Sequence, residues 1–460
     1  MESTESLNFK TLLEQYQRFG VHLGLERIQQ LLKSLGNPHQ SVPIIHVAGT
    51  NGKGSVCAYL SSVLTQAGYR VGRYTSPHLV DWTERICINQ QPISAPALWQ
   101  VLQKIEAAAA EQDPSPTQFE VMTAAAWLYF AQEKVDLAVI EVGLGGRLDA
   151  TNVCAHPLAC VITSLSREHW QRLGPTLADI AREKAGILKP HRPAIVGQLP
   201  PEAKAVVQAR ILELNCPATW IQPAIRQPQQ SNLPNRARYN GIDYALPLLG
   251  DVQLINSALA IATLQVLQQQ GWQISKIAIT QGIAQTHWPG RIQWTQWQGH
   301  SLLIDGAHNP AAAQELGQYV DQLRTSSQVG ALDSPWPKAD PRPVTWIMGM
   351  LSTKDHADIF QALLRQGDSL YLVPVPDHSS AIPEELAQLA QEICSGLAEC
   401  QSRPDLMEAM ETVFSDDQTP SCSVDLRSDS TGQGFSQPLT ILCGSLYLIG
   451  YFLRIQNNLS

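Results

Sequence analysis

Between Val42 and Ala67 the chain reads as three consecutive pieces whose order leaves few structural choices. Val42–Ala48 (VPIIHVA) is a short apolar, β-branched run, as expected of a buried parallel strand. Ser55–Ala67 places Val56, Leu60, Val63, Leu64 and Ala67 on one helical face, and Gly68 follows as a stop signal. The junction is Gly49-Thr50-Asn51-Gly52-Lys53-Gly54. Small residues there let backbone N–H groups close around phosphate oxygens, the helix N-terminus adds its positive end, and Lys53 adds a full charge. Ser55 can offer its hydroxyl to Mg²⁺. The stretch departs from the pattern G-x-x-x-x-G-K-[ST], because Gly54 separates Lys53 from Ser55 and Val47 occupies the first glycine's place. A flexible turn with a solvated lysine is the bland alternative, and the strand–loop–helix context favours phosphate.

The same alternation recurs along the chain. Leu137–Val142 and Leu158–Thr163 read as buried strands, and Thr176–Ala185 as a helix capped by Thr176 and ended by Gly186. After a break near His287–His300, strands at Leu302–Ile304, Val344–Gly349, Leu370–Val375 and Leu439–Cys443 alternate with helices at Ala311–Arg324, Asp355–Gln366 and Glu384–Leu397. The fold class is therefore α/β: a P-loop domain over residues 1–290 with a mostly parallel sheet, a linker at 291–300, and a smaller Rossmann-like α/β domain over 301–460. Flexible insertions are expected near 325–343 and 415–437. The formal net charge of −9 disfavours nucleic acid as a general partner, so an anionic substrate needs a local cationic site. No apolar run approaches ~18 residues, which argues against a membrane span. Residues Met1–Lys10 lack the apolar core of a secretory signal. Nine cysteines without a C-x-x-C pair fit neither a disulfide framework nor a zinc ribbon and suit a reducing cytoplasm.

Several further motifs stand in order. They are Thr75-Ser76-Pro77-His78-Leu79 with Glu84-Arg85, Pro116-Thr117-Gln118-Phe119-Glu120, the long Glu141–Asn152 stretch (EVGLGGRLDATN), Glu183–Ile187 (EKAGI), Pro289-Gly290-Arg291, and Asp305–Pro310 (DGAHNP). Together with the phosphate loop, this series resembles the folylpolyglutamate synthase and dihydrofolate synthase family of the muramyl ligase superfamily, and its pterin-side motif resembles the bacterial bifunctional type. The resemblance runs from about Val42 to Tyr447. It implies an ATP-dependent carboxylate–amine ligase that adds L-glutamate to dihydropteroate and to the γ-carboxylate of tetrahydrofolates through an acyl phosphate, acting as a monomer.

The resemblance also implies roles for particular residues. Gly49, Thr50, Asn51, Gly52, Lys53, Gly54, Ser55 and Asn256 would bind ATP, joined by Arg291, Asp305 and His308. Ser55, Ser76 and Glu141 would hold one Mg²⁺, while His169 and a carbamylated Lys184 would hold a second. Lys53, Glu141, His169 and Lys184 would be catalytic. Thr117, Phe119, Asp149 and Ala150 would contact the folate. From residue type alone, Phe119 at the head of an apolar helix is as well read as core, and Lys184 as a lysine placed to suit a helix C-terminus. Two positions depart from the family: Val252 stands where histidine is common, and Glu168 precedes His169 where aspartate is usual. Two rivals stay open, a muramyl-type amino-acid ligase and an inactive nucleotide-binding relative.

Overall fold

A computed structural model of the chain describes residues 11–16, 23–110, 112–228, 235–325, 343–414 and 439–459. The segments expected as insertions, and the Met1–Lys10 stretch, lie almost wholly outside these residues. Two compact units divide the described chain. The first takes the residues up to 228 with 235–247 and 252–288, and the second takes 248–251 and those from 289 onward.

The first unit is built on an eight-stranded sheet: β1 (Ile44–Ala48), β2 (Val71–Tyr74), β3 (Ile86–Ile88), β4 (Gln91–Pro92), β5 (Leu137–Glu141), β6 (Ala159–Ile162), β7 (Ala194–Val196) and β8 (Ala218–Trp220). Their spatial order is β4-β3-β2-β5-β1-β6-β7-β8, parallel from β2 to β8, with the β3–β4 edge antiparallel. Strands β1, β5 and β6 are buried along their whole length, which is why they read as unbroken apolar runs. The helix Lys53–Gln66 is buried from Ser55 through Leu64, beyond a single amphipathic stripe. One reason is its close crossing with the helix Lys276–Ala284, where Ser62 Oγ donates to Gly282 O at 2.6 Å. A three-stranded antiparallel sheet, β9 (Ile225–Arg226), β10 (Arg236–Tyr239) and β11 (Ile242–Ala245), completes this unit.

The second unit has a six-stranded sheet of order β12-β13-β17-β14-β15-β16, made from β12 (Gln293–Trp297), β13 (His300–Ile304), β14 (Val344–Met348), β15 (Ser369–Leu372), β16 (Glu399–Ser402) and β17 (Leu439–Cys443). All neighbours are parallel except β12, which pairs antiparallel with β13. Residues 291–300, read from the sequence as a linker, thus contain a strand of this sheet. Burial alternates along it, with Trp294 and Gln296 exposed and Trp297 buried, as in a half-exposed edge strand. Both sheets agree with the α/β class expected from the sequence.

Candidate active site

The order of β5, β1 and β6 fixes where the site lies. Strand β1 is flanked by β5 on one side and β6 on the other, so the chain direction of the windings reverses there. Ligands bind at such a switch point, beyond the carboxyl ends of the strands. Register places Val47 beside Glu141 and Ala48 beside Ile162. The phosphate loop, Glu141 and the Thr163–Ser166 turn therefore emerge side by side.

The loop is held from the β6 side. Thr50 N donates to Ser164 O at 2.7 Å, Asn51 N to Ser164 Oγ at 3.1 Å, and Thr163 Oγ1 to Asn51 O at 2.6 Å. Gly49 (φ +152°) and Gly52 (φ +85°) have backbones that other residues rarely adopt. Neither has room for a side chain, since a Cβ on Gly49 would lie 1.9 Å from Thr163 Oγ1 and one on Gly52 would lie 2.5 Å from Asn256 Oδ1. Asn256, buried on the helix Val252–Gln269, thereby abuts the loop. Val252 begins that helix.

Two lysines converge on one carbonyl. Lys53 Nζ donates to Gly49 O at 3.1 Å and to Thr50 O at 2.9 Å, and Lys184 Nζ donates to Gly49 O at 2.7 Å. Lys184 sits at the buried end of the helix Leu177–Ala185, whose first turn carries the Thr176–Asp179 capping box. Burial foremost, and then the charge of Lys53, pull the Lys184 pKa from 10.5 down to about 7, against the fields of Glu168 and Asp149. The result is a compact cationic locus at the phosphate loop, suited to an anion.

Glu141 ends β5 and is buried, accepting from Ser76 N at 3.3 Å. Ser76 lies on a loop organised by its own motif. Glu84 accepts from the backbone N–H of Leu79, Val80 and Asp81, and Arg85 Nε donates to His78 Nδ1 at 3.0 Å. Mg²⁺ takes oxygen donors, commonly one or two carboxylates with substrate phosphates and water. Glu141 with the Ser55 and Ser76 hydroxyls offers such a set. Among the described residues no group of three or more His, Cys, Asp or Glu side chains is arranged to hold a metal. His169 has a left-handed backbone (φ 52°) and its Nε2 stands 4.0 Å from Glu168 Oε1. As an ammonium Lys184 repels a cation; only an anionic carbamate on it would suit a second Mg²⁺.

The residues assigned to the folate are engaged locally. Thr117 caps the helix Gln118–Gln132, its hydroxyl donating to Glu120 Oε2 at 2.8 Å. The ring of Phe119 lies against Gly143 and 6.2 Å from that of Tyr74. Asp149 and Ala150 are buried, and the Asp149 carboxylate accepts from Leu144 N and Thr151 N. Arg147 N donates to Glu183 O at 2.7 Å, which ties the Glu141–Asn152 stretch to the helix of Lys184.

In the second unit, Asp305 follows β13 and accepts from Ile292 N and Ala307 N, both at 2.7 Å. Burial raises its pKa, opposed first by the charge of Arg291. Arg291 Nη1 donates to Gly290 O at 3.2 Å, and His308 Nδ1 stands 2.7 Å from Gly306 O. These three form one loop cluster.

Sequence reading missed the Thr163–Ser166 turn, although T-S-L-S directly after an apolar strand was a usable signal. It also missed Trp288, whose indole lies on Gly54 with the Arg73 guanidinium 5.1 Å from its ring centre. That pairing had no local signal.

Comparison with known proteins shows the family. Residues 47–264 match the Mur ligase middle domain, and residues 291–455 match the family described as dihydrofolate synthetase, C-terminal domain. The chain is 36% identical to a folylpolyglutamate synthase of Lacticaseibacillus casei, covering 84% of this chain and 88% of that one. It is 34% identical to a dihydrofolate synthetase of Saccharomyces cerevisiae, covering 95% and 99% respectively. The structure of E. coli FolC in complex with DHPP and ADP superposes with a TM-score of 0.79 at 29% identity, covering 99% of this chain and 98% of that one. No helix among the described residues is long and apolar enough to cross a membrane. The chain belongs to the folylpolyglutamate synthase and dihydrofolate synthase family.

Proposed function

We propose that this protein is an ATP-dependent ligase that joins L-glutamate to a pteroate or folate carboxylate. The observation that carries the reading is the convergence of Lys53 and Lys184 on Gly49 O beside the loop amides and Glu141. A carboxylate resists attack by an amine because its oxygen leaves poorly. Transfer of the ATP γ-phosphoryl group to that carboxylate gives an acyl phosphate, with ADP as the first product. The amine of glutamate then attacks the acyl carbon, loses a proton, and inorganic phosphate departs. Bringing triphosphate and carboxylate together sets two anions against each other, and Lys53, with Mg²⁺ when it is bound, would offset that repulsion.

In this reading Gly49–Ser55 and Asn256 hold the triphosphate, and Arg291, Asp305 and His308 are further nucleotide-binding residues. Glu141, Ser55 and Ser76 hold Mg²⁺, which when bound neutralises phosphate charge. With a pKa near 7, Lys184 has the neutral amine needed to add to CO₂; an N–C bond forms, a proton is released, and the resulting carbamate joins His169 as a second Mg²⁺ site. Phe119 and Thr117, with the Asp149–Ala150 turn, shape the pterin side. Relatives carrying either activity name support dihydropteroate and tetrahydrofolate as acceptors, and the pterin-side motif favours both in one chain. We place the protein in the cytoplasm as a monomer; the described cysteines are all free, as a reducing compartment keeps them.

One incubation tests this. Purified protein would receive Mg-ATP, glutamate and bicarbonate, with dihydropteroate and tetrahydrofolate as competing acceptors, and products would be read by mass spectrometry. One added glutamate on dihydropteroate plus a ladder on tetrahydrofolate is the expected outcome. Neither product, from folded protein that binds ADP, would overturn the reading.

A further inference from the structure

A buried hydrogen-bond chain runs beneath the Glu141–Asn152 stretch. His46 Nε2 stands 2.9 Å from Thr151 Oγ1, and Thr151 Oγ1 stands 2.5 Å from Asp149 Oδ1. The three residues are 1%, 0% and 3% exposed, so the chain is shielded from bulk solvent. Its proton order follows from donor inventory. Asp149 receives two backbone N–H groups as well, from Thr151 at 3.0 Å and Leu144 at 2.8 Å, which is the surrounding of a carboxylate. The Thr151 hydroxyl must therefore donate to Asp149, and its oxygen can only accept from His46. The imidazole then carries its proton on Nε2. Burial foremost, then the charge of Lys189, pushes the His46 pKa down to about 3, so the ring is neutral and has one N–H to give.

Asp149 is the organiser at the far end. Its Oδ2 closes the Leu144–Asp149 turn, the preceding Gly143 lies against Phe119, and Asn152 Nδ2 donates to Gly186 O at 3.1 Å just past the Lys184 helix. We propose that His46 is a positioning residue for the folate side of the site, fixing through Thr151 and Asp149 the turn that seats Phe119. This rests on the folate-ligase reading above. The phosphate loop three residues downstream is held independently by Thr163–Ser166, so nucleotide binding should not feel the chain.

The test compares His46→Gln with His46→Asn in the full-length protein. A glutamine amide nitrogen reaches the place of Nε2, whereas asparagine reaches only that of Nδ1. His46→Gln should keep KM for dihydropteroate within about twofold of wild type, and His46→Asn should raise it about tenfold, the scale of one lost buried hydrogen bond. ADP affinity should stay within about twofold in both. Equal KM values in the two folded variants, or a parallel loss of ADP binding, would overturn the proposal. Nitrogen-15 NMR of histidine-labelled wild type supplies a readout free of activity and of variant folding. His46 should show the Nε2–H tautomer unchanged from about pH 5 to 9; an Nδ1–H tautomer, or titration in that range, would sink the idea. A wild-type chain that ligates nothing would fail the functional reading, while the tautomer would still judge the chain of bonds.

Discussion

Two buried charges, one in each unit, are treated in opposite ways. Asp368 in the second unit is 0% exposed and accepts from five donors: both terminal nitrogens of Arg324, the N–H of Val344 and Arg365, and the indole of Trp346. Lys184 in the first unit is almost as deeply buried, yet among the described residues its ammonium gives one hydrogen bond, to Gly49 O, and faces the like charge of Lys53. A charge satisfied on every side ties elements together. A charge left short of partners is poised to change state or to meet a ligand, and strongly shifted groups gather at functional sites for that reason.

The sharpest way to break this comparison is Lys184→Met. Ligase turnover should fall on the order of 10³-fold, the scale of losing a charged group from a preorganised site. Stability should move the other way. Because the folded pKa of about 7 lies below the ordinary 10.5, the unfolded chain holds the extra proton between those values. Wild-type stability should therefore climb from pH 7 to 10.5, with the full cost present below pH 7. The variant should be ~2–4 kcal/mol more stable at neutral pH, the difference shrinking towards pH 10. Denaturant unfolding at several pH values checks both the size and the slope. A variant less stable than wild type at pH 7 would remove the contrast with Asp368.

Asp368→Asn is the complementary change. It removes the buried carboxylate charge from Arg324, which is 5% exposed at its side chain and keeps Asp321, at 3.7 Å, as a more distant anionic neighbour; it should cost about 3 kcal/mol. ADP affinity per folded molecule should change little, since the five donors all belong to the second unit's own core. Calorimetric unfolding and ADP titration on the folded fraction separate the two effects.

How much of this was legible beforehand follows from what each element buries. Strands β1, β5, β6 and β17, buried on both faces, read as apolar runs and came out within two residues. The Thr176 cap was visible because its hydroxyl acts within one turn, accepting from Asp179 N. The β9–β11 sheet was not legible: its exposed faces carry residues such as Arg238 and Asp243, which pair across the strands and resemble loop composition. The helix Val252–Gln269 was missed for the opposite reason, being buried nearly all round and so lacking a stripe. Residue motifs located the phosphate loop, Glu141 and Lys184. No spacing could show that Lys53 and Lys184 share a carbonyl, that Asp305 spends its carboxylate on backbone amides, or that His46 reaches Thr151, because each depends on long-range packing.

A smaller change asks whether the loop's anchorage, as distinct from its charge, matters. Thr163→Val removes the hydroxyl that donates to Asn51 O at 2.6 Å while keeping the branched shape against Gly49. KM for ATP should rise about tenfold with kcat less affected, because one lost hydrogen bond loosens the amides before it alters the lysines. Steady-state kinetics with ATP varied would show an equal fall in kcat if anchorage and chemistry were one.

The smallest expected effect tests whether Lys184 depends on its helix or on its burial. Thr176→Ala removes the cap two turns away, where the Thr176 hydroxyl accepts from Asp179 N and donates to Asp179 Oδ2. The change should lower stability by about 1 kcal/mol. The exposed Asp179 carboxyl, whose pKa the same hydroxyl holds below its ordinary value, should lose part of that depression. Since a depressed carboxyl pKa contributes stability above its unfolded value and loses it as pH falls through the folded one, the wild-type advantage should narrow in acid. Turnover should stay within about twofold, because Gly49 O and the Arg147–Glu183 backbone bond hold the far end of the helix independently of the cap. A larger loss in turnover than in stability would mean that the helix as a whole, and not the pocket around its last turn, sets the lysine's pKa.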